Sequence, residues 1–430
     1  MKSTLLISIF TVSLLATLAA SAQSNAAEQK PESGRYRVID LGTLGGTFSS
    51  AFGVNRARRV GGAAQLPGEN QHAFLWHHGH MTDLGTLGGP NSVAGGPNGR
   101  DELAIESETA TTDPLGEDFC GFGTHFICLG ALWKGGVMTP LPTLGGNNGL
   151  AFTLNNRGRL VGVAENGVQD SSCRSPQVVD FEAVVWGPKG DHIEELRPLP
   201  GDSVGFALAI NDHGQAVGSS GSCANTAIVP LAVGPHAVLW ENGSPVDLGN
   251  LGGKLNNTAA AINDRTEVVG ASDLSGDTTI HSFLWTKEKG MEDLGTIGSD
   301  VSSLAGWINN KGEVVGWSCD SNGICRAYYW ENKVMTDLNS LIPADSKLYL
   351  AFAFGINDDG DIVGQAIEKS SGEVHAFLAT PRCGEVNDQS EATDTQNGSS
   401  ERAALSENVR GLLQQRVRLG GFGSRFLGIR

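Results

Sequence analysis

Two short clusters in this chain have residue types that catalysis or metal binding would use. GDSVG at 201–205 matches the GxSxG pattern, in which a strained strand-to-helix turn exposes a nucleophilic serine. HHGH at 77–80 groups three imidazoles, which can hold a transition metal. The serine, however, stands where other parts of the chain repeat LGG, and no carboxylate or cysteine flanks the histidines. We therefore predict no catalytic residue, no metal and no cofactor at either place.

Carboxylates concentrate between Asp101 and Asp118, which hold seven of them. Asp113, Glu117 and Asp118 lie at the end of this stretch and are candidate ligand-binding residues. A run of like charge is usually a solvated loop, so we expect these side chains to face solvent. A basic partner could dock on them.

The cysteines allow three local pairings. Cys120 and Cys128 are close in sequence, as are Cys319 and Cys325, while Cys173 and Cys223 fall in corresponding loops of neighbouring repeats. Metal binding is the alternative, but neither close pair has the CxxC spacing of common zinc sites. The prediction is the disulfides 120–128, 173–223 and 319–325, with Cys383 left single.

These candidate residues are positioned by a sequence repeat. A heptapeptide, DLGTLGG at 40 and 83, recurs in seven variants at spacings of 43 to 57 residues. Each is followed by segment A, such as AFGIN (353–357), then in most units by segment B (VVG) and in all by an aromatic segment C, such as HAFLW (72–76). Segment D (xMTDLGTL) comes last and ends in the next heptapeptide. Asparagine–glycine turns such as NDHG (211–214) join A to B, as in tight hairpins.

Four antiparallel strands in about fifty residues, repeated, are typical of propeller blades. The seventh unit stops at segment C, whereas YRVIDLGTL (36–44) supplies a segment D with no blade before it. Pairing the two closes the ring and removes an open sheet edge. The sequence therefore predicts an all-β, seven-bladed β-propeller of four-stranded blades over 36–383, closed by the N-terminal strand.

The consensus DLGTLGG…AxGIN…VVG…HAFLW resembles the HAF-repeat family of predicted extracellular repeat proteins. The match covers all seven units and is weakest in the second, where LAIES replaces VVG. The resemblance implies an exported repeat protein and brings no established reaction. The histidines that open segment C, His72, His236, His281 and His375, share one repeat position that other residues also fill, so we predict a structural hydrogen bond for them.

In the sixth unit, Trp307 and Trp317 stand where the other units have mostly small residues. An exposed aromatic platform would suit stacking against a sugar or peptide. Local core filling is the alternative.

The ends of the chain differ from the repeats in composition. Residues 1–22 combine Lys2, an apolar run and a small-residue end, which predicts a signal peptide cleaved near Ala22 and a secreted or periplasmic protein. A linker (23–35) follows. Residues 384–430 combine a polar stretch with a short amphipathic basic helix that could make weak surface contacts. No later apolar run is long enough to cross a bilayer.

The composition excludes one class of partner. The net charge is −17, and so acidic a surface repels phosphate backbones, so we expect no nucleic-acid partner. Long B–C loops at 107–128, 163–181 and 219–235 lie on one face, where binding loops belong. The leading hypothesis is a non-catalytic, monomeric scaffold that binds a protein or glycan there. The alternative is an extracytoplasmic polysaccharide hydrolase or lyase.

Overall fold

The computed structural model describes residues 34–68, 70–228 and 232–382. The predicted signal peptide, most of the linker, Cys383 and the tail lie outside the described residues. Within the described part, twenty-eight strands form seven four-stranded antiparallel sheets, each in the order A-B-C-D. This confirms the seven-bladed β-propeller, including the second unit, which is a complete blade.

The strands of the first four blades follow the chain. Blade 1 has β2 (Ser49–Val54), β3 (Val60–Gln65), β4 (Gln71–His77) and β5 (His80–Asp83). Blade 2 has β6 (Gly88–Ala94), β7 (Leu103–Thr112), β8 (Phe126–Lys134) and β9 (Val137–Pro140). Blade 3 has β10 (Gly149–Leu154), β11 (Leu160–Gln169), β12 (Val179–Trp186) and β13 (Ile193–Leu196). Blade 4 has β14 (Val204–Ile210), β15 (Ala216–Gly221), β16 (His236–Glu241) and β17 (Ser244–Asp247).

The remaining blades complete the ring. Blade 5 has β18 (Gly252–Ile262), β19 (Val268–Leu274), β20 (Ile280–Thr286) and β21 (Gly290–Gly295). Blade 6 has β22 (Ser302–Ile308), β23 (Val314–Cys319), β24 (Cys325–Glu331) and β25 (Val334–Asp337), followed by a 3-10 helix, Leu338–Leu341. Blade 7 has β26 (Leu348–Ile356), β27 (Ile362–Glu368), β28 (Val374–Pro381) and, as its outermost strand, β1 (Tyr36–Asp40).

The N-terminal strand closes the ring as predicted. β1 pairs antiparallel with β28, from Tyr36 opposite Pro381 to Asp40 opposite Phe377. Tyr36 is fully buried in the core of blade 7. Near the other end of the pairing, His375 Nδ1 lies 2.8 Å from an Asp40 carboxylate oxygen.

The glycine of segment B, present in every blade except blade 2, is required by close packing. A Cβ at Gly62 would collide with the Ser50 carbonyl on strand A and lie 2.8 Å from the Phe74 ring on strand C. Gly270 and Gly316 have the same two neighbours in their own blades, a strand A carbonyl and a strand C ring. The aromatic residue of segment C therefore lies over a position that only glycine fits.

The asparagine that ends segment A joins each blade to the next. Its side-chain amide donates to the backbone carbonyl of the corresponding asparagine in the following blade, at 2.9–3.1 Å, and the last donates to the first. The seven members are Asn55, Asn98, Asn155, Asn211, Asn263, Asn309 and Asn357. Each Oδ1 also accepts the N–H groups two and four residues later, which fixes the A–B turn. We call this closed set the asparagine ring.

The repeated histidines make the predicted structural hydrogen bonds. His72 pairs with Asp83, His281 with Asp293 and His375 with Asp40. In each case the aspartate belongs to the heptapeptide that forms strand D, so the pair holds strand C to strand D. His236 instead pairs with Asp202, in the link that leads into blade 4.

Removing one member of the asparagine ring should destabilise the whole propeller. Asn263→Ala removes the donor to the Asn309 carbonyl and the acceptor for the N–H groups of Arg265 and Glu267. Because Asn263 is buried, we expect a loss of about 1–3 kcal/mol in the free energy of unfolding, measured with urea. Asn322→Ala, in an exposed turn, is the control and should change it by less than about 0.5 kcal/mol. Equal effects would contradict a structural role for the ring.

The closing ion pair predicts a pH dependence of stability. The hydrogen bond from His375 to Asp40 raises the pKa of His375. Burial alone would raise the pKa of Asp40, but the hydrogen bonds from His375 and from the Gly42 N–H outweigh burial, so the pKa of Asp40 is lowered. The stabilisation is therefore present above the ordinary aspartate pKa, about 4, and below the ordinary histidine pKa, about 6.5, and is lost as pH rises through the raised pKa of His375.

Asp40→Asn should lower the melting temperature more at about pH 5.5 than at about pH 8.5. Asp345→Asn, on the exposed link after the 3-10 helix, is the control and should show no such difference. A loss from Asp40→Asn that is the same at both pH values would show that the pair does not contribute through charge.

Candidate functional site

A concave surface lies on the face that carries the B–C loops. It encloses a volume of about 670 Å³, and its walls come from blades 2 to 6. We call this concavity the bowl. Five B–C loops contribute most of its polar residues: Asp118, Arg174, Ser175, Gln177, Thr226, Asp277, Thr278, Thr279, Asp320 and Ser321. The strands of blades 5 and 6 add Asn256, Asp273 and Ser302. Sequence-distant loops thus meet at one site.

The long B–C loops are partly continued strands. β7 and β11 are ten residues each and run on past their blades, so the connecting segments shrink to 113–125 and 170–178. The predicted loop boundaries at 107–128 and 163–181 were therefore too wide. These projecting hairpins form the blade 2 and blade 3 side of the bowl.

The three predicted disulfides are present. Cys120–Cys128 closes the blade 2 loop, Cys319–Cys325 closes the blade 6 turn, and Cys173–Cys223 links the loops of blades 3 and 4. Asp180 places a carboxylate oxygen within 4.8 Å of the Cys173 and Cys223 sulfurs. Because those two sulfurs are bonded to each other, this group is not a set of free metal ligands.

The expectation that the acidic stretch is solvated is wrong for most of its members. Asp113 is 4% exposed and Glu117 is fully buried, as are Glu102 and Glu108. Asp113 accepts from the Leu115 N–H and from the Asn148 amide of blade 3. Asp113 therefore holds its own loop in shape rather than presenting charge to a ligand.

Glu117 joins the blade 2 loop to the blade 3 loop. Its Oε1 accepts the N–H groups of Val178 at 2.6 Å and Val179 at 2.9 Å, and the Gln177 amide at 3.2 Å. Gln177 also donates to Glu165 Oε1 at 3.0 Å, so it bridges the two carboxyl groups. We call Glu117, Glu165 and Gln177 the carboxyl clasp.

The clasp buries two carboxyl groups against each other. Burial and, next, the neighbouring Glu117 raise the pKa of Glu165 to about 8, against the opposing effect of the Asn148 N–H. Glu165 is therefore protonated at neutral pH. This proton allows two acids to share one buried interface.

Asp118 is the one candidate acid of the stretch that lines the bowl. Its Oδ2 accepts the Gly123 N–H at 2.9 Å. Sequence reasoning missed Asp277 and Asp320. Asp320 fixes its own turn by accepting the Ile324 N–H, whereas Asp277 joins its turn to strand A of the same blade by accepting the Lys254 N–H. Both stand in short B–C turns of blades 5 and 6, so strand direction alone places them on this face.

The two candidate tryptophans do not meet in the bowl. Trp317 is 1% exposed and packs edge-on against Phe352 and Phe354 of blade 7, which is core filling. Trp307 is partly buried and lines a separate cavity on the propeller axis. The two side chains therefore form no shared platform for a ligand.

The opposite face is occupied by structural hydrogen bonds. The residue after each ring asparagine bridges neighbouring blades: Asp212 accepts the Asn156 N–H, Asp264 accepts that of Asp212, and Asp358 that of Asn310, each at 2.8–2.9 Å.

The GDSVG segment at 201–205 is structural, since it links β13 to β14 with no helix after it. We therefore assign the candidate site to the bowl.

Comparison with known proteins identifies no family for this chain. No family model matches the chain, and no curated protein matches it. Virginiamycin B lyase from Staphylococcus aureus is 10% identical, with a TM-score of 0.49 over 81% of this chain and 100% of that one. Oligogalacturonate lyase from Vibrio parahaemolyticus is 11% identical, with a TM-score of 0.48 over 80% and 93%. At such identities the similarity extends to the propeller alone.

The carboxyl clasp predicts a second pH dependence. The raised pKa of Glu165 means that its contribution to stability is full below about pH 4.5 and is lost as pH rises through about 8. In Glu165→Gln the introduced amide can donate to Glu117 as the protonated carboxyl does. We expect this variant to lose less stability than the parent between about pH 6 and pH 9.

Hydrogen exchange of residues 107–128 and 163–181 reports the same effect locally, since opening of the clasp exposes the N–H groups of Val178 and Val179. Glu288→Gln, on an exposed turn, is the matched control and should leave the pH profile unchanged. A profile that Glu165→Gln leaves unaltered would show that this carboxyl is ionised at neutral pH.

Proposed function

We propose that this protein is an exported, non-catalytic propeller scaffold that binds a protein partner in the bowl. The observation that carries the proposal is the construction of the bowl: loops from five blades converge on it, and the three disulfides all lie in those loops. The strand core does not need such loops, and ordering them has an entropic cost. Covalent bracing of loops far from the core supports a role that depends on their shape.

The chemistry of the walls favours a basic partner. Asp118, Asp277 and Asp320 lie along the bowl with a single arginine, Arg174, among its described residues. Val301 adds an apolar side chain that is 45% exposed. An apolar contact surrounded by charges of one sign fits a protein surface of the opposite sign.

A glycan fits the walls less well. Sugar rings are commonly held against an exposed aromatic face, as the prediction for Trp307 and Trp317 assumed. The two phenylalanines that border the bowl, Phe119 and Phe181, are 2% and 1% exposed and packed in the core beneath it. The described part of the bowl therefore offers hydroxyl and carboxylate groups without a stacking surface.

The catalytic alternative has little support from the lining residues. Among the described residues of the bowl there is no histidine, glutamate, tyrosine or lysine. Asp118 and Asp320 are engaged in their own turns, and Asp277 accepts the Lys254 N–H of strand A. The fourth aspartate of the lining, Asp273, is buried and accepts from Asn256. A polysaccharide hydrolase or lyase would need a positioned acid and base. The polysaccharide turnover assay described below tests this alternative.

Export is supported by the disulfides, which indicate an oxidising, extracytoplasmic compartment. Among the described residues, no helix has the length and apolar character to span a bilayer. The signal peptide at 1–22 and the surface contact of the C-terminal helix stay predictions, because both fall outside the described residues.

Two valines on opposite faces provide a matched test. Val301 borders the bowl, and Val334 begins strand D of blade 6 on the other face, 59% exposed. A partner captured on the immobilised mature protein from the extracellular fraction should bind Val301→Arg roughly tenfold or more weakly, since the change adds bulk and like charge toward a basic partner. Val334→Arg should bind as the parent does, and added salt should weaken binding.

The outcomes separate the alternatives. Loss of binding only from Val334→Arg would overturn the assignment of the face. A glycan array and a polysaccharide turnover assay run on the same protein: a glycan whose binding Val301→Arg abolishes would replace the protein partner, and release of products from any polymer would establish the enzyme instead.

A further inference from the structure

A second cavity, separate from the bowl, lies on the propeller axis. It has a volume of about 220 Å³ and is lined by the innermost strands of all seven blades. Among the residues that the structure describes, Ile228 borders both the axial cavity and the bowl.

A repeated β-bulge creates this cavity. In six blades strand A has one extra residue opposite strand B, for example between Ala51 and Gly53. A bulge re-aims the side chain of its extra residue, and here each extra residue lines the axial cavity. The six are Phe52, Phe152, Leu208, Ala260, Gly306 and Phe354.

The cavity is apolar, which the sequence pattern of segment A did not predict. Phenylalanines and a leucine occupy four of the bulge positions, and Trp307 adds a fifth large side chain. Glu106 is the only titratable residue among those described that line it. Water needs two to four polar partners to stay in such a space, whereas apolar cavities stay dry or take up apolar molecules.

Size and lining together define a ligand class. A cavity of about 150 Å³ is enough for benzene, so about 220 Å³ accommodates one aromatic ring with a small substituent. The Phe52 and Phe354 rings lie 5.5 Å apart and tilted by 39°, which leaves aromatic faces and edges along one side. Aromatic groups prefer such offset and edge contacts.

We propose that the axial cavity is a binding site for a small, uncharged molecule with a single aromatic ring. The ring contacts Phe52, Phe354 and Trp307, and the small residues Ala260 and Gly306 leave the space that it fills. The site is independent of the proposed protein partner in the bowl, because none of its test variants alters a bowl residue.

Iodobenzene is the probe, because it has the required size and its iodine quenches tryptophan fluorescence on contact. We expect it to raise the melting temperature of the mature protein and to quench the fluorescence of Trp307, measured as the difference between the parent and Trp307→Phe. Binding to the folded state alone must stabilise it in proportion to occupancy. No stabilisation, or stabilisation without quenching of Trp307, would overturn the proposal.

A reciprocal swap locates the site. Ala260 and Leu208 occupy the same bulge position in neighbouring blades, so the backbone accepts leucine there. Ala260→Leu fills the cavity and should weaken iodobenzene binding at least about tenfold, while Leu208→Ala enlarges it and should admit a bicyclic probe, naphthalene. Ala57→Leu, on an exposed A–B turn, is the control and should change neither.

Unchanged affinity in Ala260→Leu would place the probe elsewhere and overturn the proposal. If Ala260→Leu does not fold, the naphthalene affinity of Leu208→Ala decides the test. A Leu208→Ala variant that binds naphthalene no better than the parent would contradict the axial site.

Discussion

The asparagine ring is the interaction on which the rest of the propeller depends. Each member satisfies a carbonyl of the next blade while its own oxygen fixes the turn that starts strand B. Buried polar groups without partners cost free energy, so the ring is favourable only when all seven members are present and the last blade meets the first. The bond from Asn357 to the Asn55 carbonyl joins blade 7 to blade 1 as the other blades are joined, and β1 completes blade 7 by pairing with β28.

This constraint divides the molecule into a fixed and a variable part. On the A–B face the ring and the aspartates beside it occupy the backbone groups between blades, so little can change there. At the B–C end, Ser49, Ser92 and Ser303 each accept a strand C N–H group of the preceding blade. Beyond these bonds, strands β7 and β11 extend past their blades. Bracing there is specific to each loop: a disulfide in one place and the carboxyl clasp in another.

Much of the fold could be predicted because its rules are local and repeated seven times. Turn residues, strand alternation and the unpaired segment D at 36–44 are visible in sequence, and loop proximity gave the disulfide pairs. Burial of Glu117 could not be predicted, because its partners, Val178 and Val179, are some sixty residues away. The axial cavity was also hidden, because a bulge reverses the face on which alternation places a residue like Phe52.

The two cavities occur where the repeats differ from one another within this chain. The ring asparagine, present in all seven blades, and the segment B glycine, present in every blade except blade 2, leave little freedom, since a change removes a buried bond or creates a collision. The bulge residue and the B–C loop take part neither in the ring hydrogen bonds nor in the close packing at the glycine. Phenylalanine, leucine, alanine and glycine all occur at the bulge. Recognition can therefore be built at these positions without cost to ring closure, which is why both candidate sites lie there.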